Sequence, residues 1–306
     1  MSRYRALVLA VAHWGPIERL ARARGLRLGA GRFVAGETLH DGLQVANELT
    51  RAGRYPILDL LGEFVDHEEA AVATTDAVTK AIRGYAAVPE PRRLSVKPTQ
   101  IGLGLDPDLA LTHARRLARD ADAAGVALCL DMEDHPHVDD TLRIVTTLLD
   151  EGHHHVSTVL QSYLHRTPDD LDRLLARDPV PELRLVKGAY AEPPSVAHPR
   201  KVDVDRAFRE ATDALLAGGG LVHVATHDAG LIRHAQRQRD ATGVPRERLT
   251  FQLLHGVMPK LQERLVQEGE SVGVYLPFGS DWYGYFARRL AERPANLALV
   301  VRGLFG

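Results

Sequence analysis

Two adjacent arginines, Arg288 and Arg289, stand near the C-terminal end of this 306-residue chain, in the run Tyr275-Leu-Pro-Phe-Gly-Ser-Asp-Trp-Tyr-Gly-Tyr-Phe-Ala-Arg-Arg-Leu-Ala-Glu292. On a helix, Tyr285 and Arg289 share a face, and Arg288 lies about 100° round from Arg289. Planar guanidinium forks suit a carboxylate, and both arginines reach a ligand that lies beside the helix. The same pattern also describes a surface pair making exposed contacts with Glu292. Three further charges are placed for chemistry. Lys97 and Asp131 each end a short apolar run, and Arg184 is set between Leu183 and Leu185. An unpaired buried charge is costly, so a Lys97–Asp131 pair is expected.

The elements that must position these groups alternate regularly after Gly36. Short apolar runs begin near Ile57, Leu94, Val126, Val156, Leu183, Leu221, Leu249 and Val272. Between them lie stretches of helical period such as Ala110–Ala124, Thr141–Asp150, Asp169–Arg177 and Asp205–Leu216. Asp106-Pro107 and Thr167-Pro168 read as helix starts, and Gly218-Gly219-Gly220 as a helix end. The proline-rich segment from Glu192 to Arg200 reads as a loop. Strand-then-helix units of this number predict an α/β fold, a (β/α)8 TIM-type barrel with extra N-terminal helices. An open doubly wound sheet is the runner-up. The first strand, however, runs into Leu58-Asp-Leu-Leu-Gly-Glu63, which is no dinucleotide fingerprint. The expected organisation is a single domain: an N-terminal helical region over 1–54, the barrel over 55–292 and a tail over 293–306.

Strand side chains alternate faces. Ser95 and Lys97 oppose Leu94 and Val96. Asp131 goes with Ala127 and Cys129, Gln161 with Ser157 and Val159, and Tyr275 with Ser271 and Gly273, while Arg184 opposes two leucines. Each strand thus offers bulky apolar residues to the helices. Its other face carries small residues and one polar group at the C-terminal end, where barrel enzymes keep their chemistry.

Composition narrows the classes. The chain is 45% hydrophobic and 25% charged with a formal net charge of −2, which gives no basic excess for nucleic acid. The lone cysteine, Cys129, excludes an intrachain disulfide and fits a reduced cytoplasmic setting. Near the N-terminus, Tyr4–Val11 and Ile17–Arg24 read as amphipathic helices that either pack on the domain or touch a membrane surface.

In combination, these segments resemble the proline dehydrogenase family, most closely its single-function bacterial members. The resemblance is carried by Leu58-Asp-Leu-Leu-Gly-Glu63, Ser95-Val-Lys-Pro-Thr-Gln100, Leu130-Asp-Met-Glu133, Leu160-Gln161 and Arg184-Leu-Val-Lys-Gly-Ala-Tyr190. Ala225-Thr-His-Asp228, Phe251-Gln-Leu-Leu-His-Gly256 and the Tyr275–Glu292 run complete it. It spans about Arg32 to the C-terminus. It implies FAD and oxidation of L-proline to Δ1-pyrroline-5-carboxylate by hydride transfer, with electrons passed to a quinone. It also implies a separate pyrroline-5-carboxylate dehydrogenase as pathway partner and a cytoplasmic enzyme, peripheral on the inner membrane face where it meets the quinone.

By that resemblance Lys97, Arg288 and Arg289 clamp the substrate carboxylate, and Leu254, Tyr275 and Tyr285 wall its ring. Asp131 holds Lys97. Arg184 and Gln161 attend the flavin ring, with contacts from the Met132 backbone. Lys187, Gly188 and Ala189 follow the ribityl and phosphate part, and Thr226 and His227 hold the phosphate and adenine end. Glu63 pairs with one of the arginines. Two positions depart from the family pattern: Asp228 replaces the usual asparagine, and His255 a common tyrosine.

Residue types alone also admit different chemistries. Asp131, Glu133, His135 and His137 cluster in sequence as a divalent ion would require, but they lie past a strand end where polar loops are expected. His153-His154-His155 precedes a strand, at the non-catalytic end, and no metal centre is expected. A Schiff-base aldolase using Lys97 or Lys187 and a non-catalytic flavin-binding barrel are the remaining two readings.

Overall fold

The computed structural model describes residues 30–292, with side chains described as far as 287. The amphipathic segments expected at Tyr4–Val11 and Ile17–Arg24, and the tail 293–306, lie outside the described residues.

Helix α1 (Leu39–Arg51) leads into strand β1 (Tyr55–Leu60). Strand and helix then alternate: α2 (Glu68–Tyr85), β2 (Arg93–Val96), α3 (Pro107–Ala124), β3 (Ala127–Leu130), α4 (Val138–Asp150), β4 (Val156–Gln161), α5 (Thr167–Leu175) and β5 (Leu183–Val186). The order continues with α6 (Lys201–Ala217), β6 (Val222–Ala225), α7 (Ala229–Thr242), β7 (Leu249–Leu254), α8 (Pro259–Gln267), β8 (Ser271–Phe278) and α9 (Trp282–Glu292). All eight strands are parallel, and β8 pairs with β1, Ile57 opposite Tyr275, to close the barrel. The sequence reading of a (β/α)8 barrel is therefore right, and every strand starts within two residues of its expected position.

The punctuation works as the residue types dictate. Asp106 caps α3 by accepting from the Asp108 N–H at 2.7 Å, with Pro107 in the first turn, and Gly125 ends the helix at φ +63°. Thr38 and Asp41 form a reciprocal capping box on α1.

Outward residues of the strands fill the space under the helices. Leu58, Leu94, Val96, Leu128, Leu130, Val274 and Leu276 pack with α2, α3 and α4 in one cluster. Leu183, Leu185, Val222, Val224, Phe251, Leu253 and Val272 pack with α5 to α8 in another. Burying each such side chain stabilises the fold by roughly 1.5–3 kcal/mol. At Gly273 the inward position must be empty, because a Cβ there would lie 2.6 Å from the ring of Tyr55 inside the barrel.

β8 is tied to the helical shell by a buried charge pair. Arg239 of α7 donates to Glu270, the residue before β8, at 2.5 Å, and the two side chains are 1% and 2% exposed. Gln236 donates to the same carboxylate at 3.0 Å. Glu270→Ala leaves the arginine only the exposed Asp240 carboxylate, at 2.9 Å, and loss of the buried charge-assisted bond is expected to cost about 1.5–3 kcal/mol. A urea denaturation midpoint lowered by the corresponding amount is the expected measurement.

Candidate active site

Arg184 sits inside the barrel at 5% exposure, and its guanidinium is held from four other strands. Nε donates to Gln252 of β7 at 2.6 Å, Nη1 to Asp131 just past β3 at 2.6 Å, and Nη2 to Ser95 of β2 at 3.0 Å. The Tyr275 ring of β8 lies under the guanidinium carbon at 5.5 Å, and its hydroxyl donates to the second Asp131 oxygen at 2.6 Å. Burial, reinforced by the Asp131 and Asp59 carboxylates, raises the Tyr275 hydroxyl well above its ordinary range. Tyr275 is therefore a neutral donor at any working pH.

Below this level a file of polar groups continues toward the N-terminal end of the barrel. Gln252 donates to the Tyr55 hydroxyl at 3.3 Å, Tyr55 donates to Thr250 at 2.9 Å, and Thr250 meets His223 Nδ1 at 2.7 Å. His223 Nε2 lies 3.3 Å from Glu182, which also receives Arg93. Burial pushes the His223 imidazole down to about 4, so it is neutral. The inward file is thus hydrogen-bonded from end to end, which is what a polar barrel interior requires.

Lys97 does not take Asp131 as its partner. Its ammonium donates to Asp59 of β1 at 2.9 Å, while Asp131 is held by Arg184 and Tyr275. The expected Lys97–Asp131 pair is corrected accordingly: Asp131 acts on Lys97 only through space. Burial weakens the Lys97 ammonium, but the carboxylates of Asp59, Asp131 and Glu63 outweigh it and hold the group above its ordinary value. A lysine kept protonated in this way is a poor Schiff-base nucleophile.

The other expected residues collect around a cavity of about 540 Å³ at the C-terminal end of the strands, inside the ~300–1,000 Å³ span of small-molecule sites. Lys97, Asp131, Met132, Gln161, Arg184, Lys187, Gly188, Ala189, Thr226, His227, Leu254 and Tyr275 all line it. Tyr285 does not; its ring is buried with Phe33, Leu61, Trp282 and Phe286. Arg288 and Arg289 lie on α9, and their side chains fall outside the described residues.

Along the far wall, Gly188 has φ +114°, and a Cβ there would lie 2.1 Å from the Tyr163 ring, so only glycine lets this loop follow the cavity. Lys187 donates to Asp205 at 2.6 Å and to Asp228 at 2.9 Å. Asp228, in place of asparagine, caps α7 through the Gly230 N–H at 2.9 Å, and Lys187 chiefly holds its carboxyl well below the usual range. The Leu254 N–H donates to His227 Nε2 at 3.1 Å, which puts the proton of the neutral ring on Nδ1.

Sequence reasoning gave no site role to Asp59, Gln252 and Tyr190, and weighed Glu133 only as a metal ligand. Asp59 and Gln252 follow the same strand alternation as Lys97 and Arg184, and parity was their signal. Glu133 is 1% exposed and accepts from the Thr99 N–H at 2.8 Å and the Thr99 hydroxyl at 2.6 Å. Burial raises its carboxyl to about 7 against those two bonds. The acidic and histidine residues after β3 do not converge as metal ligands, since Asp131 and Glu133 are engaged as above and His137 is bonded to Asp134 at 2.5 Å.

Comparison with known proteins gives this architecture a context. The sequence model of the family described as Proline dehydrogenase matches residues 43–302. Proline dehydrogenase of Deinococcus radiodurans is 44% identical over 305 residues, 98% of this chain and 97% of that protein. Proline dehydrogenase 1 of Bacillus subtilis strain 168 is 40% identical over 288 residues, 94% of each chain. Among solved structures, proline utilization A (PutA) from Bdellovibrio bacteriovorus inactivated by N-propargylglycine superposes with a TM-score of 0.80 at 22% identity. That match covers 86% of this chain and 32% of the other, and at this identity it speaks for the fold alone.

Glu133 makes a stability prediction. Its carboxyl ionises near 4.5 when unfolded and near 7 when folded, so between these values the folded chain holds a proton that the unfolded chain has released. The resulting stabilisation is complete below about pH 4.5 and is lost as pH rises through about 7, a change of about 3 kcal/mol. Urea midpoints of the wild type and Glu133→Gln across this window are expected to differ by a pH-dependent amount of that sign.

Proposed function

This chain belongs to the proline dehydrogenase family, oxidoreductases of proline catabolism, and on that premise we propose that it oxidises L-proline to Δ1-pyrroline-5-carboxylate with FAD and passes the electrons to a quinone. The observation that carries the reading is the fixed cation of Arg184 under a cavity lined by the loops after β3, β5 and β6. The residues present fit a flavin. An electron-rich ring is favoured beside a guanidinium, Gln161 offers an amide to its polar edge, and Gly188 leaves bare backbone along the wall. In this proposal Lys187, Gly188 and Ala189 follow the ribityl and phosphate part, Thr226 and His227 the phosphate and adenine end, and the Met132 backbone adds contacts. Bound FAD supplies a two-electron acceptor, and proline gives up two electrons and two protons in forming the imine.

The remaining work falls to side chains. Lys97 arrives with Asp59 and Arg184 with Asp131, so each cation near the substrate is already matched by a carboxylate. Holding a further carboxylate therefore calls for further positive charge, and Arg288 and Arg289 on α9 supply it together with Lys97. Leu254 and Tyr275 flank the ring, and Asp131 keeps Tyr275 and Arg184 in register with each other. Orientation of the ring carbon against the acceptor is the proximity term. Among the described residues no helix is long and apolar enough to cross a membrane. In this proposal the quinone is met by a peripheral contact, and the imine passes to a separate pyrroline-5-carboxylate dehydrogenase.

The test is an absorption spectrum of the purified protein before and after anaerobic L-proline. Flavin bands that bleach support the proposal; flavin bands that persist, or their absence after reconstitution with FAD, overturn it. Arg288→Ala and Arg289→Ala are each expected to keep the flavin and to raise the proline concentration needed for bleaching at least tenfold. Each removes a charge-assisted bond of about 1.5–3 kcal/mol. Loss of flavin with unchanged proline affinity contradicts the assignment.

A further inference from the structure

At the N-terminal end of the barrel, opposite the cavity, α3 and the loop entering β4 bring together Asp122, His153 and His155. One ligand atom from each lies within 4.8 Å of the others. His153 Nδ1 is 2.9 Å from one Asp122 oxygen and His155 Nδ1 is 2.7 Å from the other. The two imidazoles meet edge to face with centroids 5.8 Å apart.

The protonation of His155 is fixed by its far nitrogen. Nε2 lies 3.1 Å from the Ala118 carbonyl, which can only accept, so Nε2 bears the proton. This leaves Nδ1 of the neutral ring as a lone pair. It is buried and has no hydrogen-bond partner among the described residues, because its approach to Asp122 is off the hydrogen-bonding direction. An unprotonated imidazole nitrogen 2.7 Å from a carboxylate oxygen is a repulsive contact, and a cation held by both atoms turns it into an attraction. A carbonyl fixing the outer nitrogen of a ring is also the arrangement that orients a metal-binding histidine. The arginines that share the adjoining hollow, Arg92 and Arg93, are already paired with Glu90 and Glu182.

We propose that Asp122, His153 and His155 bind one divalent transition ion of the zinc class, pinning the C-terminal end of α3 to the loop before β4. Two imidazole nitrogens and one carboxylate oxygen select borderline ions over Mg2+ or Ca2+. Bonds of ~2.1 Å at tetrahedral angles set ligand atoms roughly 3.4 Å apart, within the reach of small side-chain rotations here. His154, exposed between them, takes no part.

The experiment uses tag-free, full-length protein treated with a chelator and dialysed, with Zn2+ titrated in a calorimeter. One equivalent is expected to bind and to raise the thermal midpoint. Asp122→Asn and His153→Gln are each expected to weaken binding at least ~10-fold, with circular dichroism unchanged and proline-dependent turnover retained. Mg2+ is expected to give no heat and no shift. Absence of stoichiometric Zn2+ binding, or an affinity unchanged in both variants, overturns the proposal and leaves a plain histidine–aspartate contact.

Discussion

A guanidinium buried inside a barrel must find its partners among the strands or lose several kcal/mol to desolvation. Arg184 finds them on β2, β7 and β8 and at the end of β3, and no two of its contacts come from the same strand. This one group couples the C-terminal ends of otherwise separate strand–helix units. Ser95, Asp131, Gln252 and Tyr275 are each held in one rotamer because the arginine's fork is rigid. The cation that these residues locate is the floor of the cavity, so its packing and its chemistry have the same origin.

The rest of the interior follows from charge balance. Lys97 with Asp59 and Arg184 with Asp131 make two matched pairs, and Lys187 and Lys201 are matched by Asp205 and Asp228. The aspartate at 228 adds a negative charge to the wall assigned to the cofactor phosphates, and those two lysines offset it. The site is therefore nearly neutral among its described residues, and the affinity for an amino-acid carboxylate is assigned to the paired arginines of α9.

Much of this was legible in the sequence because its carriers are local. Alternation put Ser95, Lys97, Asp131, Gln161, Arg184 and Tyr275 on the inner face, and prolines, glycines and an aspartate cap marked the helix ends. Partner choice was not legible. Asp59 pairs with Lys97 because β1 and β2 are neighbours in a register that sets Asp59 beside Ser95. Asp131 is taken by Arg184, 53 positions along the chain. Neither fact is visible until the barrel closes. Glu133 was read only as a candidate metal ligand, because its contact is set by burial against Thr99 and not by its place on a strand. The histidines before β4 looked idle for the same reason, since Asp122 meets them only through packing of α3.

The most direct test of the proposal's central claim is the midpoint potential of the flavin assigned to this site, in the wild type, Arg184→Gln and Arg184→Lys. A fixed positive charge beside the ring favours its reduced form, and for a two-electron couple about 30 mV corresponds to about 1.4 kcal/mol. Arg184→Gln is expected to lower the potential by tens of millivolts, with Arg184→Lys falling between. A potential unchanged in Arg184→Gln with flavin still bound would contradict the account, because the buried cation would then serve the barrel alone.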